Sequence, residues 1–519
     1  MEWGLAWTVA AAVAASWLFN AAVNLLWRPR AIARRLRAQG VSGPGYSVFS
    51  GGNLGEIKRL RGEGAGLVLD VSSHDFLPIV QPHFRKWIPL YGKTFVYWVG
   101  TRPTICLTDM NMVRQVLSDR TGMYPKNVAN KTFARLLGKG LVLTDGEEWK
   151  RHRKVVHPAF NMDKLKLMTN TMTDCAMSMV SDWESELKKG GVAAEIEVSR
   201  RFEELTADVI SHTAFGSSYK EGKQVFLAQR DLQYIAVSTF FTIQIPGFSY
   251  LPTRKNLKTW SLDKKVRNML MDIINTRLAN KETAGYGNDL LGLMLEACTP
   301  EEHGESQPLL SMDEIIAECK TFFFAGHDTT SHLLTWTMFL LSTHQEWQEK
   351  IREEVIMECG HEVPNGDVLN KLKLLNMFLL ETLRLYGPVA FIQRKVADGG
   401  VEIAGIAVPD GAVVSIPIAT IHRDKEVWGE DADEFRPERF ENGVLKAAAK
   451  HPNALLSFSS GLRSCIGQNF AMIEAKAVIA MILQRFSFTL SPKYVHSPTE
   501  VITLRPKYGL PMILKSLKL

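Results

Sequence analysis

The sequence predicts a mainly α-helical protein with a minor β portion, built as one large globular body behind a single membrane-spanning helix. Three observations predict this. Apolar residues recur at helical spacing along most of the 519 residues, strand-like runs are few and short, and residues 3–27 hold no charged side chain.

From Trp3 to Trp27, Leu5, Val9, Val13, Trp17, Leu18, Val23, Leu25 and Leu26 supply enough apolar length to cross a bilayer, with tryptophans at both ends to suit the interfaces. Arg28, Arg30, Arg34, Arg35 and Arg37 follow, against Glu2 alone, and give residues 1–37 a local charge of +4. Positive charge stays cytosolic, so the N-terminus is expected in the lumen and everything after Arg28 in the cytosol. A cleaved signal peptide, which the alanine-rich Ala10 to Ala15 would suit, wants its charges before the apolar run. An Ala-rich surface helix is the other alternative, since Thr8, Ser16, Asn20 and Asn24 dilute the apolarity. Gly40 to Gly45, with Pro44 among three glycines, cannot extend a helix and reads as a hinge. The expected divisions are an anchor at 1–27, a basic Pro/Gly hinge at 28–45 and a single body at 46–519, which shows no second linker and no internal repeat.

Within the body, Met312 to Leu341 is almost wholly apolar and predicts a buried helix, and Phe470 to Leu483 predicts another. Trp347, Ile351 and Val355 recur every four residues, with Glu346 and Lys350 as an i,i+4 pair on the other side, so that helix lies at a surface. Thr299 to Gln307 reads as a solvated loop. Strands are expected at Val401 to Val408 and Ala412 to Ile418, around the turn Pro409-Asp410-Gly411.

Composition narrows the function. Hydrophobic residues at 46% and charged residues at 22% describe a folded protein. The net charge of +6 is concentrated beside the apolar N-terminus, which leaves no basic domain for nucleic acid. Six cysteines stand singly, with no C-x-x-C pair, so neither a zinc site nor a disulfide framework is indicated and a reducing compartment fits. Cys106, Cys175, Cys298, Cys319 and Cys359 read as small buried hydrophobes.

Cys465 differs. It lies in Phe458-Ser459-Ser460-Gly461-Leu462-Arg463-Ser464-Cys465-Ile466-Gly467, just before an apolar helical run, a position expected to favour a thiolate. Gly461 permits a tight turn, Gly467 leaves bare backbone for something flat, and Arg463 can bind an acidic group on it. This segment resembles the F-x-x-G-x-R-x-C-x-G haem loop of the cytochrome P450 monooxygenases at every fixed position. Five such positions match by chance about 10⁻⁴ times in a chain this long.

The resemblance implies the roughly triangular α-helical haem domain with small β-sheets, and a b-type haem with Cys465 as axial ligand. The other family motifs follow in order. Trp149-Lys150-Arg151-His152-Arg153 resembles W-x-x-x-R, which makes Trp149 and Arg153 haem propionate contacts and leaves Lys150, Arg151 and Lys154 to face an electron donor. Arg394, after Pro388, resembles another propionate ligand. Ala325-Gly326-His327-Asp328-Thr329 resembles the oxygen-binding groove, where small residues admit dioxygen and the Asp328–Thr329 pair relays protons. Thr329 can also bond back to the carbonyl of Ala325 and bend the helix, and His327 reads as a packing or pocket-wall residue. Glu381, Arg384 and Arg439, from E-x-x-R and P-E-R-F, resemble the family's buried structural triad. Phe324, Val389, Ala390 and Tyr508 are candidate pocket residues.

By the same resemblance the chain is an endoplasmic-reticulum enzyme that takes electrons from NADPH through cytochrome P450 reductase and inserts one oxygen atom of O2 into an apolar substrate. Gly138-Lys139-Gly140-Leu141, His422-Arg423-Asp424 and Trp428-Gly429-Glu430-Asp431 are similar to the plant clan that includes secologanin synthase and cytokinin hydroxylases. Within it the chain is most similar to sub-terminal fatty-acid hydroxylases. A terpenoid or hormone is the alternative substrate. A hydroperoxide isomerase could dispense with Asp328–Thr329, and a non-catalytic haem sensor or electron carrier needs no oxygen groove.

Overall fold

The computed structural model describes residues 2–127, 131–191, 193–216, 219–240, 247–298, 309–448 and 450–517; the loop expected at Thr299 to Gln307 lies outside them. Helix α1 (Glu2–Ala22) continues through a π turn at Val23–Trp27 into α2 (Arg28–Ala38), with Pro29 in the first turn of α2, where its missing N–H costs nothing. The helix Ala6–Ala38 contains a stretch long and apolar enough to cross a membrane, and protein covers none of that stretch.

The segment 28–45 differs from the free hinge expected. Ile32 and Leu36 share a face of the arginine-rich helix, and Leu36 and Val41 are buried against the body. Gln39 accepts the backbone N–H of Ala407 at 2.7 Å and donates to its carbonyl at 3.4 Å. A Cβ on Gly43 would fall 1.8 Å from the carbonyl oxygen of Val96, so the glycine lets the chain press onto the next strand. Only residues 39–45 are irregular, and they are stitched down.

The elements that frame the interior follow in chain order: β1 (Thr94–Val99), β2 (Arg102–Leu107), α3 (Gly146–Val156), α4 (Met162–Gly190), β3 (Ala193–Glu197), α5 (Val198–Phe215) and α6 (Tyr219–Phe240). Then comes α7 (Met312–Thr343), which matches the apolar run from Met312 and is started by a capping box between Ser311 and Glu314. Its missing side chain at Gly326 admits Ile210 of α5, since a Cβ there would lie 2.6 Å from Ile210 Cδ1. Helix α8 (Gln345–Cys359) buries Trp347, Ile351 and Val355 as expected, but Lys350 lies over the Trp347 ring, 5.2 Å from its centroid, in place of the expected pair with Glu346. Helix α9 (Lys373–Tyr386) follows.

The strand expected over Val401 to Val408 is a hairpin, β5 (Val401–Ile403) and β6 (Ile406–Val408), after β4 (Ile392–Lys395). Ala404 and Gly405 both take positive φ, +48° and +83°, the pairing a two-residue hairpin turn needs. β7 (Val413–Ile416) pairs instead with β2 in parallel and with β4 antiparallel, giving a sheet ordered β1-β2-β7-β4. Helix α10 (Gln468–Arg485) packs along α4 and leads into β8 (Phe486–Leu490), β9 (Pro498–Val501), β10 (Thr503–Pro506) and β11 (Pro511–Ser516). β3-β11-β8 form a second sheet, and β9-β10 a tight hairpin.

Among the described residues three apolar clusters result, one among the helices, one against the β1-β2-β7-β4 sheet and a smaller one of Ile57, Phe84, Trp87, Phe95, Tyr97 and Cys106, and Met377 and Met472 touch the first two. The cysteine loop lies at this seam.

Candidate active site

The loop holds Cys465 by its backbone. Cys465 N donates to the carbonyl of Phe458 at 2.9 Å, and Gly461 takes φ +72° where a Cβ would fall 2.2 Å from the carbonyl oxygen of Leu117. Gly467 is different: a Cβ there would meet Phe160 and Cys465 Sγ only at about 4 Å, so its bare backbone is not required by the protein's own packing. Cys465 keeps an accessible face. Its thiol is pushed up by burial, with the Gly467 N–H and Arg153 pulling the other way. The N-cap of α10 is Gly467, so Cys465 stands outside the first turn, where the helix dipole acts.

Around the sulfur the structure gathers cations. Arg153 reaches back from α3 to donate to the carbonyl of Ser464 at 3.1 Å. Arg463 lies 4.3 Å over the Trp149 ring and pairs with Asp145. Arg394 is buried on β4, and burial with the nearby Arg463 lowers its pKa to about 10. Sequence reasoning missed a fourth cation, Lys126, which burial, Arg394 and Arg463 push down to about 7. It also missed Asp145, which precedes the first turn of α3 but turns its carboxylate away from the helix, where it accepts the Lys126 backbone N–H at 2.9 Å and pairs with Arg463. No motif announces either residue.

Lys126, Arg394 and Arg463 thus face one carboxylate, Asp145, with Arg153 beside Cys465, and Arg463 Nη1 is buried with no partner among the described residues. A planar group bearing two carboxylates and a metal that takes a sulfur ligand fits this arrangement: two acids answer the surplus charge, Gly467 leaves room for the plane, and Cys465 Sγ offers the ligand.

In α7, Ala325 and Thr329 keep accessible surface, and Thr329 Oγ1 donates to the Ala325 carbonyl at 2.7 Å, the back-bond expected. Gly326, assigned to the same groove, faces α5 and serves helix packing. His327 packs its ring edge-on against Phe226 at 5.0 Å. Asp328 does not join Thr329 as a pair. Its carboxylate is buried against β10, where Thr503 Oγ1 donates at 2.6 Å and Arg505 Nη2 lies at 3.1 Å. Burial would raise its pKa, but Arg505, the neighbouring His332 and His327, and Thr503 outweigh that and hold it below the usual range.

The triad is met in two different ways. Arg384 makes a two-armed pair with Glu381, 2.7 Å on each arm, with both side chains fully buried. Arg439 Nε stands 3.6 Å from Glu381, an ion pair without a hydrogen bond, while its two Nη atoms donate to Trp428 and Asp431 and the Arg436 backbone N–H donates to the Glu381 carboxylate at 2.9 Å. Of the pocket candidates, Phe324 is buried in the helical core beside the groove and Val389 keeps accessible surface, as does Phe391. Ala390 is covered, its carbonyl tied to Gln81 and Ala419, because alternation in an extended segment turns it away from Val389 and Phe391. Tyr508 is 57% exposed, on the turn before β11, and belongs to no pocket. Arg151 also departs from expectation: it turns inward to Glu314, leaving Lys150 and Lys154 on the surface.

The sequence model of the cytochrome P450 family matches residues 74–511. Cytochrome P450 709B1 of Arabidopsis thaliana is 46% identical over 96% of each chain, and cytochrome P450 734A1 of the same plant 41% identical over 95% of this chain and 93% of its own. Cytochrome P450 CYP72A616 of Paris polyphylla is 42% identical over 98% of both. Matched in sequence along nearly its whole length, and carrying a cysteine loop that Arg153 and Arg463 flank, the chain belongs to the cytochrome P450 family of haem-thiolate monooxygenases.

Proposed function

We propose that this enzyme hydroxylates an apolar small molecule at an unactivated carbon, with the sub-terminal carbons of a medium-chain fatty acid as its best substrate. The observation that carries this reading is apolar surface: Val389 and Phe391 keep accessible surface and Phe324 is buried just before Ala325, while the Asp328 carboxylate is turned into β10. Haem, when bound, supplies the activation of dioxygen, one atom of which enters substrate while the other leaves as water.

The protein's residues do the rest. Cys465 Sγ would ligate the haem iron, and Arg153, Arg394, Arg463 and Lys126 would hold the acid groups of the cofactor, with Trp149 against Arg463. Phe324 and its neighbours exclude water. Thr329 Oγ1 holds a proton at the groove, and the Asp328 carboxylate, which must itself first take up a proton from solvent, is the group through which that proton is replaced. Exposed Lys150 and Lys154 on α3 suit the acidic face of NADPH–cytochrome P450 reductase. The uncharged helix followed by arginines supports a single-pass anchor in the endoplasmic reticulum with the body in the cytosol.

The test is the reduced, carbon-monoxide difference spectrum of the membrane-expressed protein, then dodecanoic acid turnover with NADPH and reductase. A thiolate-type Soret band with in-chain hydroxylated product supports the reading. The band without that product moves the substrate to terpenoids or hormones, and its absence in folded protein removes the site. Thr329→Ala is expected to keep the band and keep oxidising NADPH while diverting electrons to hydrogen peroxide; unchanged coupling rejects the proton role.

A further inference from the structure

The proton role assigned to Asp328 meets an obstacle in the structure. Successive residues on a helix point about 100° apart, so while Thr329 opens on the groove, Asp328 is directed to the β9–β10 hairpin. There it is held from several sides. Thr503 and Arg505 are two apart on β10 and therefore share its face. Thr503 Oγ1 donates to Oδ2 at 2.6 Å and Arg505 Nη2 lies 3.1 Å from Oδ1, while Gln233 of α6 reaches both oxygens at 3.4 Å. Gln233 also donates to the Val501 carbonyl at 2.9 Å, which fixes the hairpin to α6. His332 and His327 on α7 and Glu203 on α5 complete the titratable surroundings of the carboxylate and of Arg505.

Stability is a weak reason for this cluster. A buried ion pair seldom outperforms a well-packed apolar pair, and Arg505 Nε is itself buried without a partner. The hairpin also includes a strained residue: only Ile502 separates Val501 from Thr503, and this β-branched residue takes φ +69°. Backbone held in that region marks a turn over-determined by its surroundings. Here the surroundings are Gln233 on one arm and Asp328 on the other.

Resting on the monooxygenase reading above, we propose that Arg505 and Thr503 are positioning residues for proton delivery: they fix the Asp328 carboxylate against β10, where it accepts a proton from solvent and passes that proton toward Thr329, returning to the carboxylate they hold. Arg505 and Thr503 act only through Asp328.

The test uses the full membrane-expressed chain with reductase and compares Arg505→Met, Arg505→Lys, Thr503→Val and Thr329→Ala. Arg505→Met and Thr503→Val are expected to keep the carbon-monoxide band and to raise the fraction of NADPH electrons lost to hydrogen peroxide by roughly threefold, with Arg505→Lys restoring most of the coupling. A readout independent of turnover is the infrared spectrum of the resting protein. Arg505→Met should gain a protonated-carboxyl C=O band that disappears when Asp328→Asn is added. Parental coupling in Thr503→Val and Arg505→Met with the haem band intact overturns the proposal, as does a lysine variant no better than the methionine one. Should Arg505→Met fail to fold, Thr503→Val decides. If Thr329→Ala is itself fully coupled, the relay reading is what has failed, and the infrared band still decides whether Arg505 sets the state of Asp328.

Discussion

Arg384 meets five oxygens, two on Glu381 and the carbonyls of His422, Ala432 and Glu434, with no exposed surface. Arg384→Ala strands the Glu381 carboxylate, a loss of about 3–5 kcal/mol, which is a large share of the roughly 5–15 kcal/mol a domain has. The expected variant shows little carbon-monoxide band per mole of chain and a lowered Tm; haem-replete protein with parental Tm would show the pair to be dispensable. Lys126 gives a prediction in pH. Its folded pKa lies near 7 against 10.5 for the free side chain, so between those values the unfolded chain binds a proton that the folded one has lost. Cofactor-free protein should therefore gain stability as pH rises from 7 toward 10 and lose it as pH falls through 7, and Lys126→Met should flatten that slope in thermal unfolding at pH 7 and 9. The two residues also mark what could be read from sequence. Glu381 and Arg384 are one helical turn apart, so their pairing is local. Lys126 and Asp145 meet Arg394 and Arg463 across more than 200 residues, and no spacing in the chain signals that.

At the scale of elements, α3 is riveted to α7 by two acids on one α7 face. Arg151 and His152 both meet Glu314, and His152 Nδ1 lies 2.5 Å from Glu318, with the His152 and Glu318 side chains fully buried. Burial lowers the His152 pKa, but Glu318 and Glu314 more than compensate, and the net shift is upward. The stabilisation is fully present below the unfolded value near 6.5 and fades as pH rises through the raised folded one. Glu318→Gln should lower the Tm most at acidic pH and least at alkaline pH; an equal loss at both would mean that the pair is not ionic. Long periodic helices such as α7 and α10 were legible because burial on nearly every face leaves an unbroken apolar run. The β5–β6 hairpin was not, since the Ala404-Gly405 turn lacks the usual Asn or Asp and the eight residues read as one strand. Asp328 was misplaced for a similar reason: the motif gives its helix position, whereas its partners come from β10.

For the molecule as a whole, the question is where the membrane part ends and the body begins. The sequence places the boundary at a flexible hinge, but α2 carries Leu36 into the sheet-side core, Val41 follows it, and Gly43 presses onto β1. Removing residues 1–27 should therefore detach the protein from membranes with little change in its unfolding midpoint or its carbon-monoxide band, because α1 contributes no covered surface. Removing residues 1–45 should do something different. It strips two buried side chains worth about 1.5–3 kcal/mol each, exposes the apolar seat they occupied, and frees Ala407 from Gln39. The longer truncation is expected to lower stability in urea by about 3–6 kcal/mol relative to the shorter one, with a corresponding loss of haem-replete protein. Equal stability of the two truncations would restore the free-hinge picture. A difference of that size would make α2 part of the catalytic body, so that the bilayer begins at Trp27 and the body's orientation is set by a helix fixed to it rather than by a tether.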